Sequence, residues 1–352
     1  MMQLTTIASF LILFCGLFRT IAVTTVTSDD YDTMTVNDAS VNGSKSTSCI
    51  LGVKYVSIAL YTSNIPNGKF VQVNESCNFL NSSTPVFFMT HGFIANYSNY
   101  NLSVVTSQLL KKHCAVFSLD WSDAACYNDP AAINLLEYPF AVHNTHEVGN
   151  YLASYIKSIC DTCSVPLKNI VLIGHSLGAH ISSFAAKNLQ TSGYGKVTLL
   201  IGSDPAGPLF MLNNCEHRFC DTDAERVIAL HTSALGLQKS LGHLDLWFNN
   251  GLSQPACGDW FFGTVNLNCS HNIAIAYLCN TLFHDCKYTG VSISPRTIPF
   301  LNILPGCSSD ETDCIVVDHR IFDRNYATEG DYCVSVTLEY PYCTKDLPVC
   351  RK

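Results

Sequence analysis

The fold is decided by a stretch that runs from Asn169 to Leu189 and reads NIVLIGHSLGAHISSFAAKNL. Residues 169–173 form a mainly apolar run that predicts a buried strand, and the alanine-rich residues 177–189 predict a helix. Between them, Gly174-His175-Ser176-Leu177-Gly178 matches the Gly-x-Ser-x-Gly turn, which holds a nucleophilic serine between a strand and a helix. Ser176 is therefore the predicted nucleophile, although these five residues alone would also fit an ordinary turn serine.

The alternation of strand and helix continues on both sides of this stretch. Apolar runs at residues 85–90, 114–119 and 197–201 predict further strands, and apolar residues at helical spacing predict an amphipathic helix over residues 140–159. Strands that alternate with helices imply a mostly parallel central sheet with helices on both faces. The predicted fold class is therefore α/β.

A serine hydroxyl needs a general base, and the base needs a carboxylate that orients it. In hydrolases built on this turn, the chain order is serine, acid and then histidine. Asp204 directly follows the predicted strand at residues 197–201, so its carboxylate is expected at the rim where the serine turn also opens. Asp221, Asp223 and Asp245 are rival acids, although none of them follows so clear a strand.

Three histidines downstream of Asp204 are candidates for the general base. His271 begins a helical stretch, whereas His231 and His243 lie nearer to the acid along the chain. Spacing alone does not decide among these three side chains.

The oxyanion hole of such an enzyme needs two backbone N–H groups. One is expected from Leu177, the residue after the serine, and the other from Phe93, where Gly92 lets the backbone turn after an earlier strand. Three histidines flank these motifs and are expected to be structural hydrogen-bonding residues: His91, His175 and His180.

The amino terminus predicts secretion. An apolar run of about 12 residues that is followed by small residues near Ala22 predicts a signal peptide at residues 1–22. The alternative, a membrane anchor, needs about 20 apolar residues. Residues 23–48 lack apolar periodicity and are rich in Thr, Ser, Asp and Asn, which indicates a propeptide or flexible linker. Residues 49–352 remain as the folded domain.

The chain has 18 cysteines without zinc-type spacing, which predicts disulfides formed in an oxidising compartment. Cys160 and Cys163 have CxxC spacing at the end of a helical stretch, and we expect a structural pair or two separate bridges rather than a redox site. Asn-x-Ser sequons predict glycosylation at five positions: Asn42, Asn74, Asn81, Asn96 and Asn101.

Charge and composition narrow the classes of partner. The formal net charge is −8 and no basic run is present, which argues against nucleic-acid binding. No constellation of metal ligands is evident, so we expect no metal and no cofactor. We expect the chain to act as a monomer.

Together these stretches resemble the pancreatic lipase family, and most closely its insect branch of venom-type phospholipases A1. The matching stretches are residues 90–93, 173–180, 203–208, 221–225, 231–234, 242–245 and 269–271. The resemblance runs from about residue 50 to 345 and implies an α/β-hydrolase fold in which Ser176, Asp204 and His271 form the triad. It also implies a chain without the carboxyl-terminal β-sandwich domain that vertebrate members append.

The resemblance further implies two disulfide-closed loops. One is a short loop between Cys215 and Cys220, and the other is a lid between Cys257 and Cys269. This lid is only 11 residues long, shorter than in triglyceride lipases of the family, and the loop between residues 231 and 242 is also short. Three lid residues are expected to touch a lipid surface, or alternatively to pack over the core: Trp260, Phe261 and Phe262.

Short loops leave an open site that admits a phospholipid head group, so the expected function is a secreted phospholipase A1 that hydrolyses the sn-1 acyl ester. A neutral triacylglycerol lipase or galactolipase with the same triad is the nearest alternative. A non-catalytic lipid carrier, such as the yolk proteins of this family, is a third possibility, which the presence of all three triad residues argues against.

Overall fold

The central strands are continuous apolar runs because both faces of the sheet are covered by helices. The computed structural model describes residues 49–98, 100–127, 134–258, 265–283, 287–295, 307 and 314–343. The predicted signal peptide at 1–22 and the predicted propeptide or linker at 23–48 lie outside these residues.

The described residues form eleven strands and five α-helices. The strands are β1 (Ser57–Thr62), β2 (Ile65–Phe70), β3 (Val86–Thr90), β4 (Ala115–Asp120), β5 (Ile170–His175), β6 (Val197–Ser203), β7 (Ala224–His231), β8 (Leu244–Phe248), β9 (Tyr288–Ile293), β10 (Cys314–Val317) and β11 (Gly330–Val334). The helices are α1 (Val73–Ser76), α2 (Tyr100–Lys111), α3 (Asn134–Cys163), α4 (Leu177–Thr191) and α5 (Leu267–Phe283).

One sheet contains all of these strands, in the order β10-β9-β11-β8-β7-β6-β5-β3-β4-β1-β2. The strands from β11 to β4 in this order pair in parallel, whereas β9 and β10 at one edge and β1 and β2 at the other pair antiparallel. The carboxyl ends of β3 to β8 and of β11 therefore meet at one edge of the sheet, the carboxyl edge.

Side chains alternate between the two faces of the sheet, as the period of a β-strand requires. In β5, Ile170 and Leu172 join a core with α3 and α4, whereas Val171 and Ile173 join a second core with α2 and α5. The prediction of a mostly parallel α/β sheet with helices on both faces is confirmed. The predicted strands at 85–90, 114–119, 169–173 and 197–201 match β3, β4, β5 and β6 within two residues.

The helix predicted at residues 140–159 extends further in both directions, from Asn134 to Cys163. Pro139 lies inside its amino-terminal part. Proline removes one helical N–H donor, yet packing of the helix against α4 and the sheet outweighs that local preference.

Disulfides join distant parts of the chain. Cys49 is bonded to Cys126, Cys77 to Cys163, and Cys307 to Cys333. Cys163 thus forms a bridge, but the expectation that Cys160 is also bridged is wrong, because it is a free thiol buried on the core face of α3. Burial raises the pKa of the Cys160 thiol to about 11, which keeps it protonated and unreactive.

Crossing a bilayer takes a long apolar helix, and none of the helices in the described part of the chain meets that requirement.

Candidate active site

Ser176 occupies the sharp turn between β5 and α4. Its backbone angles are φ 57° and ψ −124°, a conformation that side chains rarely adopt, and only 7% of the residue is exposed. A strand that runs straight into a helix forces this turn, and it presents the serine hydroxyl at the carboxyl edge of the sheet.

The glycines on either side of Ser176 are required by close backbone contacts. A Cβ atom at Gly178 would lie 2.2 Å from the carbonyl oxygen of Thr90, and one at Gly174 would lie 2.2 Å from the carbonyl oxygen of Gly178. A Cβ atom at Gly92 would lie 2.8 Å from Cβ of Ser176 and 3.3 Å from its Oγ. The loop after β3 therefore lies directly against the serine.

Asp204 follows β6, with a positive φ of 46°, and has no solvent exposure. Its Oδ1 accepts hydrogen bonds from the backbone N–H groups of Thr232 (2.8 Å) and Ser233 (3.2 Å), and its Oδ2 accepts one from the Ser233 hydroxyl. A Cβ atom at Gly236 would lie 2.4 Å from Oδ1, so only glycine leaves room for the carboxylate there. These donors offset much of the cost of burying a charge.

His271 lies in the first turns of α5 and points its Nδ1 at the acid. Nδ1 lies 2.6 Å from Oδ2 of Asp204, and 9% of the residue is exposed. A proton held on Nδ1 by this carboxylate leaves the lone pair on Nε2, which is the form a general base needs.

The serine and the histidine are connected through His175, the residue before Ser176. Its Nε2–H donates to the carbonyl oxygen of His271 (3.1 Å), and the two rings lie 4.7 Å apart. Burial, and secondly the neighbouring His271, lowers the pKa of His175 to about 3, so this ring stays neutral. The backbone N–H of Ala206 also donates to the Ser176 carbonyl oxygen (3.3 Å), which ties the serine turn to the loop of the acid.

The rival histidines have other partners. His231 places Nε2 2.7 Å from Oδ1 of Asp245 and stacks on Trp247 at 3.6 Å, whereas Nδ1 of His243 accepts from the backbone N–H of Val227. Among the described residues, the structure therefore pairs His271 with Asp204, and His231 with Asp245.

The rival acids are likewise engaged elsewhere. Asp223 is buried and forms an ion pair with Lys187 and a hydrogen bond with the Ser183 hydroxyl (2.7 Å). Asp221 lies beside the disulfide between Cys215 and Cys220.

His180 fixes the loop after the acid. It donates from Nε2 to the carbonyl oxygen of Ala206 (2.9 Å), and its Nδ1 accepts from the backbone N–H of Phe219 (3.1 Å). Burial lowers the pKa of His180 to about 3, so both bonds involve the neutral ring.

The predicted oxyanion donors lie on the two segments beside the serine. Leu177 is the first residue of α4, where backbone N–H groups have no partner within the helix. Phe93 is half-buried, follows Gly92 and packs edge-on against Tyr138 with ring centroids 5.1 Å apart.

Ser233 has a contact that sequence reasoning missed. Its Oγ donates to Asp204, lies 3.4 Å from Nδ1 of His271, and accepts the backbone N–H of Leu235 (3.1 Å). Ser233 lies within residues 231–234, one of the stretches that resemble the lipase family. In the sequence, this resemblance was the only indication that Ser233 has a role in the site.

The structure bonds Cys257 to Cys269, which closes the predicted lid loop. The lid residues Trp260, Phe261 and Phe262 lie outside the described residues. Two groups of possible metal ligands exist in the described part of the chain, around Cys49 and around Cys215, but their cysteines are disulfide-bonded and offer no thiolate.

A family model described as Lipase matches residues 23–335. The chain belongs to the lipase family. Within this family it is 43% identical over 279 residues to "Phospholipase A1" from Dinoponera quadriceps, which covers 78% of this chain and 72% of that protein. It is 41% identical over 261 residues to "Phospholipase A1" from Vespa crabro, which covers 74% of this chain and 83% of that protein.

A third relative, "Phospholipase A1" from Solenopsis invicta, is 33% identical to this lipase-family chain over 318 residues, 87% of this chain and 89% of that protein. A solved phospholipase/carboxylesterase from Dyadobacter fermentans aligns at 15% identity with a TM-score of 0.28, over 51% of this chain and 74% of that one. This structural likeness is too low to add to the family assignment.

Replacing Ser233 with alanine should lower kcat/KM for ester hydrolysis about 10-fold or more. The substitution removes a hydroxyl donor from the Asp204 carboxylate, and hydrogen bonds to charged groups contribute about 1.5–3 kcal/mol. Steady-state kinetics on a soluble ester measures the change. Thr289→Val is the matched control, because it removes a buried hydroxyl on β9, four strands away from β6. A Ser233→Ala variant as active as this control would contradict the expected role.

Stability should fall as the pH decreases below the ordinary histidine pKa of 6.5. Between that value and about 3 the unfolded chain binds a proton at His180 that the folded chain does not, so stability rises with pH across this window. His180→Gln keeps an N–H donor but cannot titrate. Its loss of unfolding free energy between pH 7 and pH 5 should be smaller than that of the wild type by about 2 kcal/mol.

Chemical denaturation at the two pH values measures this difference. His217→Gln, which removes an exposed histidine, is the matched control. Equal pH dependence in the His180→Gln and wild-type proteins would show that His180 is not the titrating group.

Proposed function

We propose that this protein is a phospholipase A1, which hydrolyses the sn-1 acyl ester of phospholipids. The relatives named phospholipase A1, at 33–43% identity over about three quarters or more of the chain, carry this proposal. A buried aspartate–histidine pair beside a strained serine turn supports it chemically.

In the proposed reaction, His271 takes the proton of the Ser176 hydroxyl as the oxygen attacks the acyl carbonyl carbon. Asp204 holds the imidazole in the Nδ1–H form and stabilises the positive charge that the ring acquires. The protonated ring then gives its proton to the departing lysophospholipid oxygen. Water, activated by the same histidine, releases the fatty acid from the acylated serine.

The backbone N–H groups of Phe93 and Leu177 stabilise the tetrahedral oxyanion in this proposal. The close approach of Gly92 to Ser176 supports the first donor, and the helix start at Leu177 supports the second. The dipole of α4 also points its positive end at the developing charge. The reaction as written uses only groups of this chain and water.

The short lid favours phospholipids over triacylglycerols. The bridge between Cys257 and Cys269 limits the loop to 11 residues, so less chain is available to cover Ser176 than in a long-lidded lipase. The alternative function is that of a neutral triacylglycerol lipase or galactolipase with the same triad.

We also propose that the carboxyl edge contacts the membrane that contains the substrate. Four apolar residues are exposed on segments that follow β3, β4 and β6: Ile94 (39%), Tyr127 (44%), Leu136 (71%) and Leu212 (90%). Hydrogen bonds link these segments, from the Ile94 N–H to the Ala125 carbonyl (3.0 Å) and from the Tyr138 hydroxyl to the Pro208 carbonyl (3.2 Å).

These segments carry no positively charged side chain that would favour anionic lipids over zwitterionic ones. Residues 93–98, 121–127, 134–142 and 205–214 contain neither lysine nor arginine. Apolar contact rather than attraction to anionic lipids is therefore expected to hold the protein at the surface.

We further propose that the protein is secreted, is glycosylated and acts as a monomer. The disulfides of the described region support an oxidising compartment, as does the predicted signal peptide. The asparagines of two sequons, Asn74 and Asn81, have exposed side chains, and Asn96 is half-buried. Asn42 and the side chain of Asn101 lie outside what the structure describes.

Ser176→Ala should abolish ester hydrolysis because it removes the attacking oxygen. The secreted wild-type protein is given phosphatidylcholine with distinguishable acyl chains at sn-1 and sn-2, and in parallel trioleoylglycerol. We expect release of the sn-1 fatty acid, slower hydrolysis of trioleoylglycerol, and no release by the variant.

The Ser176→Ala variant should still be secreted with an unchanged melting temperature, which separates loss of chemistry from loss of folding. Residual hydrolysis by this variant would refute the role of the serine. Preferential hydrolysis of trioleoylglycerol by the wild type would leave that role intact and refute the phospholipid specificity.

Leu212→Asp should weaken binding to phosphatidylcholine vesicles, because a charge replaces the most exposed apolar side chain of the surface. Co-sedimentation with vesicles measures the loss, and hydrolysis of a soluble ester should be unchanged. Phe79→Asp is the matched control, since Phe79 is an exposed apolar residue (37%) that precedes β3 and therefore lies at the opposite edge of the sheet. Equal vesicle binding by both variants would contradict the proposed surface.

A further inference from the structure

We infer that His91 is a positioning residue that fixes the oxyanion donor of Phe93. This inference rests on the proposed serine-hydrolase reaction and adds to it a group that does not itself touch the substrate. His91 is 1% exposed and directly follows β3, so its ring lies inside the protein beside the loop that borders Ser176.

The tautomer of His91 is set by Trp121, which directly follows the neighbouring strand β4. The backbone N–H of Trp121 points at Nε2 of His91 (3.2 Å), so Nε2 must carry the lone pair. The indole N–H of Trp121 donates to the carbonyl oxygen of His91 (2.9 Å), and the two rings lie nearly parallel. Two bonds thus hold His91 on the end of β4.

With the lone pair on Nε2, the ring proton of His91 is on Nδ1. Nδ1 lies 2.9 Å from the carbonyl oxygen of Gly92, so Nδ1–H donates to that oxygen. The opposite tautomer would gain a contact with Asp120, whose Oδ1 lies 3.4 Å from Nε2, but it would set N–H against N–H at Trp121 and a lone pair against the Gly92 carbonyl. The Nδ1–H form is therefore favoured, because it makes the two shorter hydrogen bonds, to the Gly92 carbonyl and from the Trp121 N–H, at the loss of one longer contact with Asp120.

The bond to the Gly92 carbonyl fixes the direction of the Phe93 N–H. In a planar trans peptide, the carbonyl of one residue and the N–H of the next point in opposite directions. His91 holds the carbonyl on one side, so the Phe93 N–H is turned to the other. Gly92 itself lies against Ser176, where a Cβ atom would be 3.3 Å from Oγ.

The far side of the loop is held independently. The Ile94 N–H donates to the Ala125 carbonyl (3.0 Å), and Ile94 adopts a positive φ of 50°. The peptide between Gly92 and Phe93 is thereby held from both sides, and the donor is oriented before substrate binds.

A matched pair of variants tests this inference. Asparagine places an amide N–H near the position of Nδ1, whereas leucine has a similar branched shape and no donor. With p-nitrophenyl butyrate as substrate, His91→Leu should lower kcat about 10- to 100-fold with KM changed less than twofold, because the oxyanion forms only in the transition state. His91→Asn should recover most of the lost kcat.

The rate at which a p-nitrophenyl phosphonate inactivates each variant is a second readout. Ser176 Oγ displaces p-nitrophenolate from phosphorus, and the phosphonyl oxygen occupies the oxyanion hole. Inactivation should slow in parallel with kcat. Equal kcat for the Leu and Asn variants at equal melting temperature, or an effect on KM alone, would overturn the inference.

The wild-type protein tests the tautomer directly, without any folding risk. Nitrogen NMR of protein labelled with ¹⁵N-histidine should detect a proton on Nδ1 of His91 and none on Nε2. A proton on Nε2 would overturn the inference. Because these assays use a soluble ester, a phosphonate and the free protein, they stay informative even if phosphatidylcholine is not hydrolysed, a result that would count against the substrate class alone.

Discussion

The buried carboxylate of Asp204 is the charge on which the arrangement of the site depends. It has no solvent exposure, and an unpaired buried charge costs several kcal/mol. Two backbone N–H groups and one hydroxyl from the segment after β7, together with the ring of His271 from α5, supply its partners. The loop after β6, the segment after β7 and α5 must therefore all be in place before this charge is satisfied.

Two neutral histidines link further segments of the chain to the site around Asp204. His175 and His180 are fully surrounded by protein, and burial keeps both rings uncharged across the physiological range. Each ring acts as a short link from an N–H or a lone pair to a backbone group of another segment. A charged His175 would lie 4.7 Å from the ring that becomes positive during the proposed reaction, so its neutrality protects the developing imidazolium from repulsion.

The candidate site was predictable to the extent that its residues follow strands with clear local patterns. Ser176 and Asp204 come directly after apolar runs that became β5 and β6, and parallel strands bring their carboxyl ends to one edge. Local pattern did not decide among His231, His243 and His271, because each side chain suits a base equally well, and only the family resemblance pointed to His271. Only the positions of α5 and the acid loop bring one of the three to Asp204.

Three further features could not be predicted from local sequence pattern, because each depends on a contact with a distant part of the chain. Ser233 is one of many serines, and its bond to Asp204 spans 29 positions of the chain. Cys160 shares CxxC spacing with Cys163, yet only Cys163, at the carboxyl end of α3, is bonded to Cys77. His91 looked like any histidine beside a motif until β4 placed Trp121 against its ring.

The sequence by itself determined the α/β class, the serine turn, the acid after the following strand and the positions of most central strands. Hydrophobic period, glycine placement and chain order act over a few residues, so they are legible without coordinates. The family resemblance also named His271 and two of the disulfides. The tertiary structure brought His271 to Asp204 and decided which hydroxyl supports that acid, which other cysteines are bonded and which tautomer His91 adopts. Those outcomes depend on distances between segments that are far apart in the chain, and only packing of the helices on the sheet sets such distances.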